Sequence, residues 1–322
     1  MDECATALSF DATGERLAVG DASGRIVTLD VTDGRILDEW HGDVRGVSAL
    51  AWHPQQPILA AGGADGALRL RSSGQQSVVQ LGRAWLEQLA WSPDGTRCAV
   101  AAGREIIHVD AMRQVVGRRS KPLESTVTGL AWRSGGKQLV SSCYGGVRVL
   151  DGGALEVTRR FPWKGSLLTL ALSPNGRIVA AGCQDDTLHF WRFANGEDAQ
   201  MTGYPAKPTS LSWRADSQAL ATNGGSTIIV WPFDGRGPQG RAPRQLAGHD
   251  KPVSTVAFAP LGTTLASGCS GGRVCLWLPD QSCVPIASVQ MEAGVERLAW
   301  GGRDFRSLAA ADAAGAVLLW RT

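Results

Sequence analysis

A phrase of about forty residues recurs along almost the whole chain, and it limits the possible folds more than any other feature of the sequence. Two of its copies read ALAWHPQQPILAAGGADGALRLR (residues 49–71) and TVAFAPLGTTLASGCSGGRVCLW (residues 255–277). Eight copies can be aligned on one anchor position, which is occupied by Phe10, Trp52, Trp91, Trp132, Leu172, Trp213, Phe258 and Trp300. A period of this length indicates supersecondary units that stack on one another and share a continuous core.

Each copy reads as three short apolar strands, such as ALAW, ILAAG and LRLR, separated by turns rich in Gly, Asp and Pro. A fourth, more polar β-rich stretch follows before the next copy begins. The inner strands are apolar on both faces, which indicates that each sheet packs between two others. We therefore predict an all-β chain that forms a single β-propeller domain over residues 1–322, with four-stranded blades beginning near residues 5, 47, 86, 127, 167, 208, 253 and 295.

Several motifs make the chain resemble the WD40-repeat family. They are the turn Ser92-Pro93-Asp94-Gly95, the pair Gly248-His249 and a tryptophan that ends four of the third strands, at Trp191, Trp231, Trp277 and Trp320. The resemblance implies a hydrogen-bonded network of a histidine, a second-strand Ser or Thr, a turn Asp and the third-strand Trp. The seventh copy offers His249, Ser267 and Trp277, but Gly271 stands at the Asp position, and no copy has all four residues.

The last copy ends without a fourth strand, which bears on the number of blades. We predict eight blades, the last of them three-stranded, with a seven-bladed propeller as the alternative. The third strand at Val317–Arg321 would then leave an exposed sheet edge, and such edges tend to pair with another chain. The sequence therefore predicts either a monomer or a dimer that pairs through this edge.

Two segments match the patterns of catalytic or cofactor-binding motifs, but neither has the surrounding sequence that such a motif needs. Gly268-Cys269-Ser270-Gly271-Gly272 fits a nucleophile elbow but stands at a repeat turn, and Gly235–Gly240 fits a dinucleotide loop but contains Pro238 and runs into no helix. Cys143, Cys183 and Cys269 share one repeat position, where blade spacing of roughly 10 Å would keep their thiols too far apart to ligate one metal ion. We predict no enzyme activity, no cofactor and no metal.

Composition bears on the cellular location, the source and the partner class of the protein. The net charge is only +2, and no apolar run is long enough to span a membrane. Seven scattered cysteines fit reduced thiols better than a disulfide framework, which predicts a cytoplasmic protein. The excess of Arg over Lys favours a GC-rich bacterial source. Acidic residues interleave with the basic ones in the loops, which argues against nucleic acid as a partner.

The loops that precede the first strands hold the candidate partner-binding residues. They carry aromatic and basic side chains, and in the WD40 family these loops form one rim together with the turns between second and third strands. The candidates are Trp85, Trp163, Tyr204, Arg45, Arg83, Lys164, Lys207 and Lys251 in the loops, and Tyr144 in one of the turns.

Aromatic residues and arginines on one face are typical of binding hot spots. We therefore interpret the chain as a non-catalytic scaffold that presents this rim to protein partners. Trp163 and Tyr204 stand where the family has its histidine, so packing over their own blades is an equal alternative for them. A small-molecule-binding or hydrolytic propeller that uses the rim or the central channel is the competing function.

Overall fold

A computed structural model describes residues 1, 3–43, 45–302, 304 and 306–321, and these residues form strands, turns and loops without a helix. The strands pair into eight antiparallel sheets, of which seven have four strands and the last has three. This confirms the predicted all-β, eight-bladed propeller with a three-stranded last blade, and it leaves no place for the seven-bladed alternative. We number the sheets as blades 1 to 8 in chain order.

The chain packs as two compact units, and the first, Glu3–Ser166, contains blades 1 to 4. Its strands, four to a blade, are β1 (Ala5–Phe10), β2 (Arg16–Asp21), β3 (Arg25–Asp30), β4 (Ile36–His41), β5 (Val47–Trp52), β6 (Ile58–Gly63), β7 (Ala67–Ser72), β8 (Gln75–Gln80), β9 (Leu86–Trp91), β10 (Arg97–Ala102), β11 (Glu105–Asp110), β12 (Val115–Arg119), β13 (Gly129–Trp132), β14 (Gln138–Cys143), β15 (Gly146–Asp151) and β16 (Val157–Pro162).

The second unit begins at Leu167, contains blades 5 to 8 and includes Met1. Its strands are β17 (Ala171–Leu172), β18 (Ile178–Gly182), β19 (Leu188–Arg192), β20 (Asp198–Met201), β21 (Leu211–Trp213), β22 (Ala219–Thr222), β23 (Thr227–Pro232), β24 (Arg244–Ala247), β25 (Val253–Phe258), β26 (Leu265–Cys269), β27 (Arg273–Trp277), β28 (Ala287–Gln290), β29 (Val295–Gly301), β30 (Ser307–Asp312) and β31 (Val317–Arg321).

The core lies between neighbouring sheets, as strands that are apolar on both faces require. One buried cluster joins Leu68 and Leu70 of blade 2 to Cys98, Val100 and Ile107 of blade 3. The second strands are almost wholly buried, whereas the fourth strands are mostly exposed. Each blade therefore contributes its inner strands to two layers of core and leaves its outer strand at the surface.

Tight turns join the strands of each blade, and glycine makes several of them possible. Gly66, in the turn between β6 and β7, has a φ of +73°, a conformation that favours glycine. A Cβ atom at this position would also collide with the carbonyl oxygen of Gly82, in the loop that follows blade 2. The turn can thus lie directly against that loop, which brings the two segments to the same end of the blade.

Tryptophans at the anchor position link successive blades inside each unit. The indole Nε1–H of Trp52 donates to the carbonyl oxygen of Ser9 over 3.0 Å, and that of Trp213 donates to Ala171 over 3.1 Å. Trp91, Trp132 and Trp300 make the same bond to the blade before their own. In each case the acceptor is the residue immediately before the preceding anchor. Blades 1, 5 and 7 have Phe10, Leu172 and Phe258 at this position, none of which can donate.

Candidate functional site

In the first unit, the loops that precede first strands and the turns between second and third strands lie at one end of the blades. The Leu81 N–H donates to the carbonyl oxygen of Gly66, and the Val127 N–H donates to that of Gly103. The Tyr144 N–H donates to Ser125 Oγ over 2.8 Å. We call this surface the loop face; it comprises loop residues 42, 43, 45, 46, 81–85, 120–128 and 163–166 with turn residues 22–24, 64–66, 103–104 and 144–145.

Two aromatic side chains of the loop face are exposed to solvent. Trp85 is 61% exposed and Tyr144 is 53% exposed, and no other described aromatic residue reaches comparable exposure. The segment 120–128 lies between them, because it is bonded to Gly103 on one side and to Tyr144 on the other, while Ala84 packs beside Gly103. An exposed indole and phenol flanking one loop give the face a large amphipathic contact area.

Basic side chains also lie on the loop face. Arg45, Arg83 and Lys164 are exposed, as the sequence predicted for loop positions. Arg45 lies 3.6 Å from the buried carboxylate of Asp43, which also accepts the backbone N–H groups of Arg45 and Asp65. Arg83 and Lys164 make no hydrogen bond or ion pair with any residue that the structure describes, so their charges are available to a partner.

The carboxylate of Glu124, in the loop segment 120–128, is already paired with two arginines. Glu124 Oε1 lies 3.0 Å from Arg148 Nη2 and 2.5 Å from Arg160 Nη1. Desolvation alone would raise the pKa of Glu124, but the hydrogen bonds from the two guanidinium groups lower this pKa to about 2. Glu124 therefore stays ionised and paired, and it does not cancel the charge of Arg83 or Lys164.

Tyr204, in the second unit, is not part of an exposed surface. Its side chain is only 8% exposed and packs in the core cluster of blades 5 and 6. The Trp231 Nε1–H donates to Tyr204 Oη over 2.6 Å, and Thr222 Oγ1 lies 2.9 Å from the same oxygen. Burial raises the pKa of the Tyr204 hydroxyl to about 12. The packing alternative therefore applies to Tyr204, because its hydroxyl satisfies a buried indole, and we remove it from the predicted surface.

Blade 7 contains the three residues of the network that the WD40 resemblance implied. His249 Nε2 lies 2.7 Å from Ser267 Oγ, which also accepts the Trp277 Nε1–H over 2.8 Å. Desolvation lowers the pKa of His249 to about 4, so the ring is neutral at physiological pH. The trio in blade 6 occupies the same repeat positions. Thr222 could have been found in the sequence as the second-strand hydroxyl that corresponds to Ser267.

The remaining candidates divide between the two units. Trp163 is half-buried at the end of blade 4, where its backbone N–H donates to the carbonyl oxygen of Gly145. Lys207 and Lys251 are exposed in the second unit. The Lys251 stem lies against Gly271, where an added Cβ would come within 2.8 Å of Lys251 Cγ. The structure thus brings six candidates to the loop face of the first unit and leaves Lys207 and Lys251 in the other unit; the six are Trp85, Tyr144, Trp163, Arg45, Arg83 and Lys164.

Neither a metal site nor a membrane-spanning helix occurs in the part of the chain that the structure describes. No group of three or more His, Cys, Asp and Glu residues there could hold a metal ion, and no helix is long and apolar enough to cross a membrane. A cleft of about 330 Å³ lies beside blades 6 and 7. Its Arg214 is hydrogen-bonded to Asp216 and Asp280, and its Arg241 to Asp234. These charges are neutralised within the cleft and favour no particular ligand.

Comparison with known proteins identifies repeats and relatives. The family model described as WD domain, G-beta repeat matches residues 34–72, 156–192 and 240–277. WD repeat-containing protein slp1 of Schizosaccharomyces pombe is 22% identical over 82% of this chain and 47% of its own length. Cell division cycle 20.5, cofactor of APC complex, of Arabidopsis thaliana is 22% identical over 84% of this chain and 54% of its own length.

A human relative and a solved structure add to this. Human WD repeat-containing protein 74 is 29% identical over 40% of this chain and 31% of its own length. The chain thus spans about half or less of the length of these curated relatives. The crystal structure of the computationally designed Ika8 protein covers 100% of this chain, and this chain covers 97% of it, with a TM-score of 0.84 and 21% identity. At that identity the likeness concerns the fold alone.

Proposed function

We propose that the chain, which contains WD40 repeats and has the eight-bladed propeller fold, is a non-catalytic scaffold whose loop face binds a protein partner. The observation that carries the proposal is the exposure of Trp85 and Tyr144 on the same face of the first unit. Leaving two large aromatic side chains in water costs hydrophobic free energy, and a partner that covers them recovers it.

The loops are already held in place before a partner arrives. Backbone hydrogen bonds tie segment 81–85 to Gly66 and segment 120–128 to Gly103 and Arg104. Side chains presented by such fixed loops lose little conformational entropy on binding, so a few anchors suffice for useful affinity. Tryptophan, tyrosine and arginine are the residues most enriched in binding hot spots.

The charge of the face indicates the chemistry of the partner. Arg83 and Lys164 are exposed and make no ion pair with any described residue, whereas Glu124 is paired with two arginines. We propose a protein partner that places acidic residues around an apolar contact. The Arabidopsis relative is named as a cofactor of a complex, which supports a protein rather than a nucleic acid as the partner.

The cellular compartment and the source organism are also proposals. All seven cysteines are free, and five of them, Cys98, Cys143, Cys183, Cys269 and Cys275, are buried, which supports a reducing compartment such as the cytoplasm. The arginine-rich composition supports a bacterial source.

The double substitution Trp85→Ala plus Tyr144→Ala tests the scaffold proposal. Tagged wild-type and variant proteins are used for affinity purification from the native host, and captured proteins are quantified by mass spectrometry. We expect specific partners to fall by about tenfold or more, because truncating an interface anchor costs at least about 1–2 kcal/mol. The melting temperature should change little, because both side chains are exposed.

Met112→Ala provides the matched control. Met112 is 64% exposed in the turn between β11 and β12, at the opposite end of blade 3 from the loop face, so its loss should leave partner capture unchanged. Capture of the same proteins by wild type and the double variant would contradict the proposal. A large fall in the melting temperature of the double variant would instead identify Trp85 and Tyr144 as packing residues.

A further inference from the structure

A cleft of about 280 Å³ lies between blades 1 and 2, within the first unit. It is at the end of the blades where third and fourth strands are joined, so it lies opposite the loop face. Aromatic, aliphatic and polar side chains form its walls. Six of these residues carry the argument: Arg16 and Thr28 of blade 1 with Trp52, Leu59, Arg71 and Ser73 of blade 2.

Two polar side chains of the cleft have no partner among the residues that the structure describes. Arg16 is exposed, and its guanidinium makes no ion pair or hydrogen bond with them. Thr28 is only 5% exposed, yet its hydroxyl makes no hydrogen bond with them either. Arg71 differs, because it donates two hydrogen bonds to Asp38 over 2.8 and 2.9 Å, and these two charges cancel. One cation and one nearly buried hydroxyl are thus left for a ligand.

The junction of blades 3 and 4 shows what the same position holds when the chain fills it. Strand register matches the residues of the two junctions: Arg97 is equivalent to Arg16, His108 to Thr28, and Trp132 to Trp52. The Arg97 guanidinium lies 5.3 Å from the centroid of the Trp132 ring and donates to the carbonyl oxygen of Gly152. The His108 ring stacks on the same indole at 5.4 Å. The arginine of this junction therefore has an oxygen acceptor, which Arg16 lacks among the described residues.

The length of one connection explains the difference between the two junctions. In blade 4, residues 152–156 join β15 to β16, and Leu155 of this loop is 2% exposed in the core cluster shared by blades 3 and 4. In blade 2 only Ser73 and Gly74 join β7 to β8, with φ values of +48° and +79°. This turn supplies no counterpart of Leu155. The cleft thus takes up the volume that the loop and the His108 ring fill between blades 3 and 4.

We propose that the cleft between blades 1 and 2 binds a small carboxylate that carries a compact apolar group. The carboxylate accepts hydrogen bonds from Arg16 and from the Thr28 hydroxyl, as the Gly152 carbonyl oxygen accepts from Arg97. A guanidinium matches a carboxylate in charge and geometry, which makes this the preferred acceptor. The apolar group packs on Trp52.

The size of the ligand follows from the volume of the cleft. A cavity of about 150 Å³ holds benzene, so the cleft admits roughly a dozen non-hydrogen atoms. Apolar walls with a few polar groups that fix the orientation are typical of sites for such molecules. A free aryl or branched aliphatic acid and the carboxyl terminus of a peptide that ends in an apolar residue share this chemistry.

A fluorinated aryl acid is the first probe. The line width of 3-(4-fluorophenyl)propanoate in fluorine NMR is followed while the full chain is titrated into the sample. We expect saturable binding with a dissociation constant of about 1 mM, which is usual for a ligand of this size. The corresponding amide has the same shape without the charge, and it should bind about tenfold more weakly because the bond to a guanidinium weakens when its acceptor is neutral.

Arg16→Gln tests the charge of the cleft. It should weaken binding of the acid about tenfold and leave binding of the amide unchanged. Arg113→Gln is the matched control, because its side chain is 82% exposed in the turn between β11 and β12 and its loss changes the net charge equally. The control should bind the acid within about twofold of the wild type. Both arginines are exposed, so the melting temperature should change little in either variant.

Thr28→His tests the position of the site. It introduces the residue that fills the equivalent place between blades 3 and 4, so it should weaken binding of the acid by tenfold or more. Thr28→Val keeps the volume and removes only the hydroxyl, and it should weaken binding about threefold. Should Thr28→His fail to fold, Thr28→Val and Arg16→Gln still test the same cleft.

Competition with the fluorinated probe distinguishes the two sources of the carboxylate. Displacement by N-acetylphenylalanine at the concentrations at which 3-phenylpropanoate displaces the probe would assign the site to a peptide carboxyl terminus. Displacement by 3-phenylpropanoate alone would assign it to a free acid. The loop-face variant with Trp85→Ala and Tyr144→Ala should bind the probe as the wild type does, because the cleft shares no residue with the loop face.

Three results would overturn the proposal. One is the absence of saturable binding of the acid up to about 10 mM. Another is equal affinity for the acid and its amide, which would mean that no cation contributes. The third is binding that survives both Arg16→Gln and Thr28→His, because the probe would then occupy another part of the molecule.

Discussion

Blades 6 and 7 bury the same kind of tryptophan at the end of the third strand but satisfy its indole in different ways. In blade 7 the acceptor is Ser267 Oγ, and His249 bonds to that hydroxyl. In blade 6 the acceptor is Tyr204 Oη, and Thr222 bonds to it. The central oxygen thus belongs to the second strand in blade 7 and to the preceding loop in blade 6.

The comparison shows that in these two blades different hydroxyl groups satisfy the buried indole, so its hydrogen bond does not depend on one particular residue type. An unpaired N–H in the core costs about 1–3 kcal/mol, and either hydroxyl removes that cost. The two solutions differ in their response to substitution and to pH. Removing the central oxygen should lower stability in each blade, but the second-strand hydroxyl is central only in blade 7. Only the network of blade 7 contains a histidine, whose lowered pKa in the folded state makes stability depend on pH.

The largest effect is expected from Ser267→Ala. This change leaves the Trp277 indole and His249 Nε2 buried without their shared partner. The free energy of unfolding should fall by about 2–4 kcal/mol, since two polar groups lose their hydrogen bonds. Urea denaturation monitored by tryptophan fluorescence measures this loss. If Ser267→Ala lowered the free energy of unfolding by less than Thr222→Val in blade 6 does, the assignment of Ser267 as the central acceptor would be contradicted.

A smaller effect is expected from acid. Burial lowers the pKa of His249 to about 4 from an ordinary value of 6.5, so the unfolded chain binds the proton more readily. His249 therefore has no effect above about pH 6.5, and stability is lost as the pH falls from there towards about 4. Tyr204, with its pKa raised to about 12, does not titrate in this range.

His249→Gln tests this pH dependence while keeping a hydrogen-bonding side chain beside Ser267. Between about pH 7.5 and about pH 5, the wild type should lose about 1–2 kcal/mol more unfolding free energy than the variant. His108, whose pKa is also lowered to about 4 by burial, contributes equally to both proteins and cancels in the difference. Equal losses in the two proteins would show that His249 is accessible to protons in the folded state.

The smallest effect is expected from Thr222→Val in blade 6. Valine fills the same volume, and the bond from Trp231 to Tyr204 remains, so the losses are the hydrogen bond to the tyrosine hydroxyl and a long one of 3.4 Å to the Ile229 carbonyl oxygen. The free energy of unfolding should fall by about 1 kcal/mol, measured by the same urea titration. A loss as large as that of Ser267→Ala would mean that Thr222, and not Tyr204, carries the network of blade 6.

The eight sheets and the missing outer strand of blade 8 could be predicted because strand and turn signals are local. Runs such as ILAAG and LRLR, and the turns between them, repeat eight times, so an error in one copy is corrected by the others. The hydrogen-bonded network of blade 7 was also predictable, since His249, Ser267 and Trp277 each stand at a position that the WD40 resemblance assigns to this network.

Tyr204 shows where local signals end. Its position in a loop was compatible with both surface and packing roles, and the choice depends on Thr222 and Trp231, which are 18 and 27 residues further along the chain. Trp85 lies in a comparable loop, yet its indole makes no hydrogen bond with the residues that the structure describes, and its side chain stays exposed. The sequence could nominate both residues, but only their three-dimensional neighbours distinguish them. Partner binding by Trp85, Tyr144 and the basic residues around them stays a prediction.

The indole bonds between successive blades bear on how a propeller of this kind can change its number of repeats. Each anchor tryptophan donates to a main-chain oxygen of the blade before it, as Trp91 does to Ala51. Every sequence supplies such an oxygen, so a duplicated blade would carry its own means of attachment and require no matching substitution in its new neighbour. Gain or loss of a whole repeat by recombination is therefore less disruptive than it would be if neighbouring blades recognised each other through paired side chains.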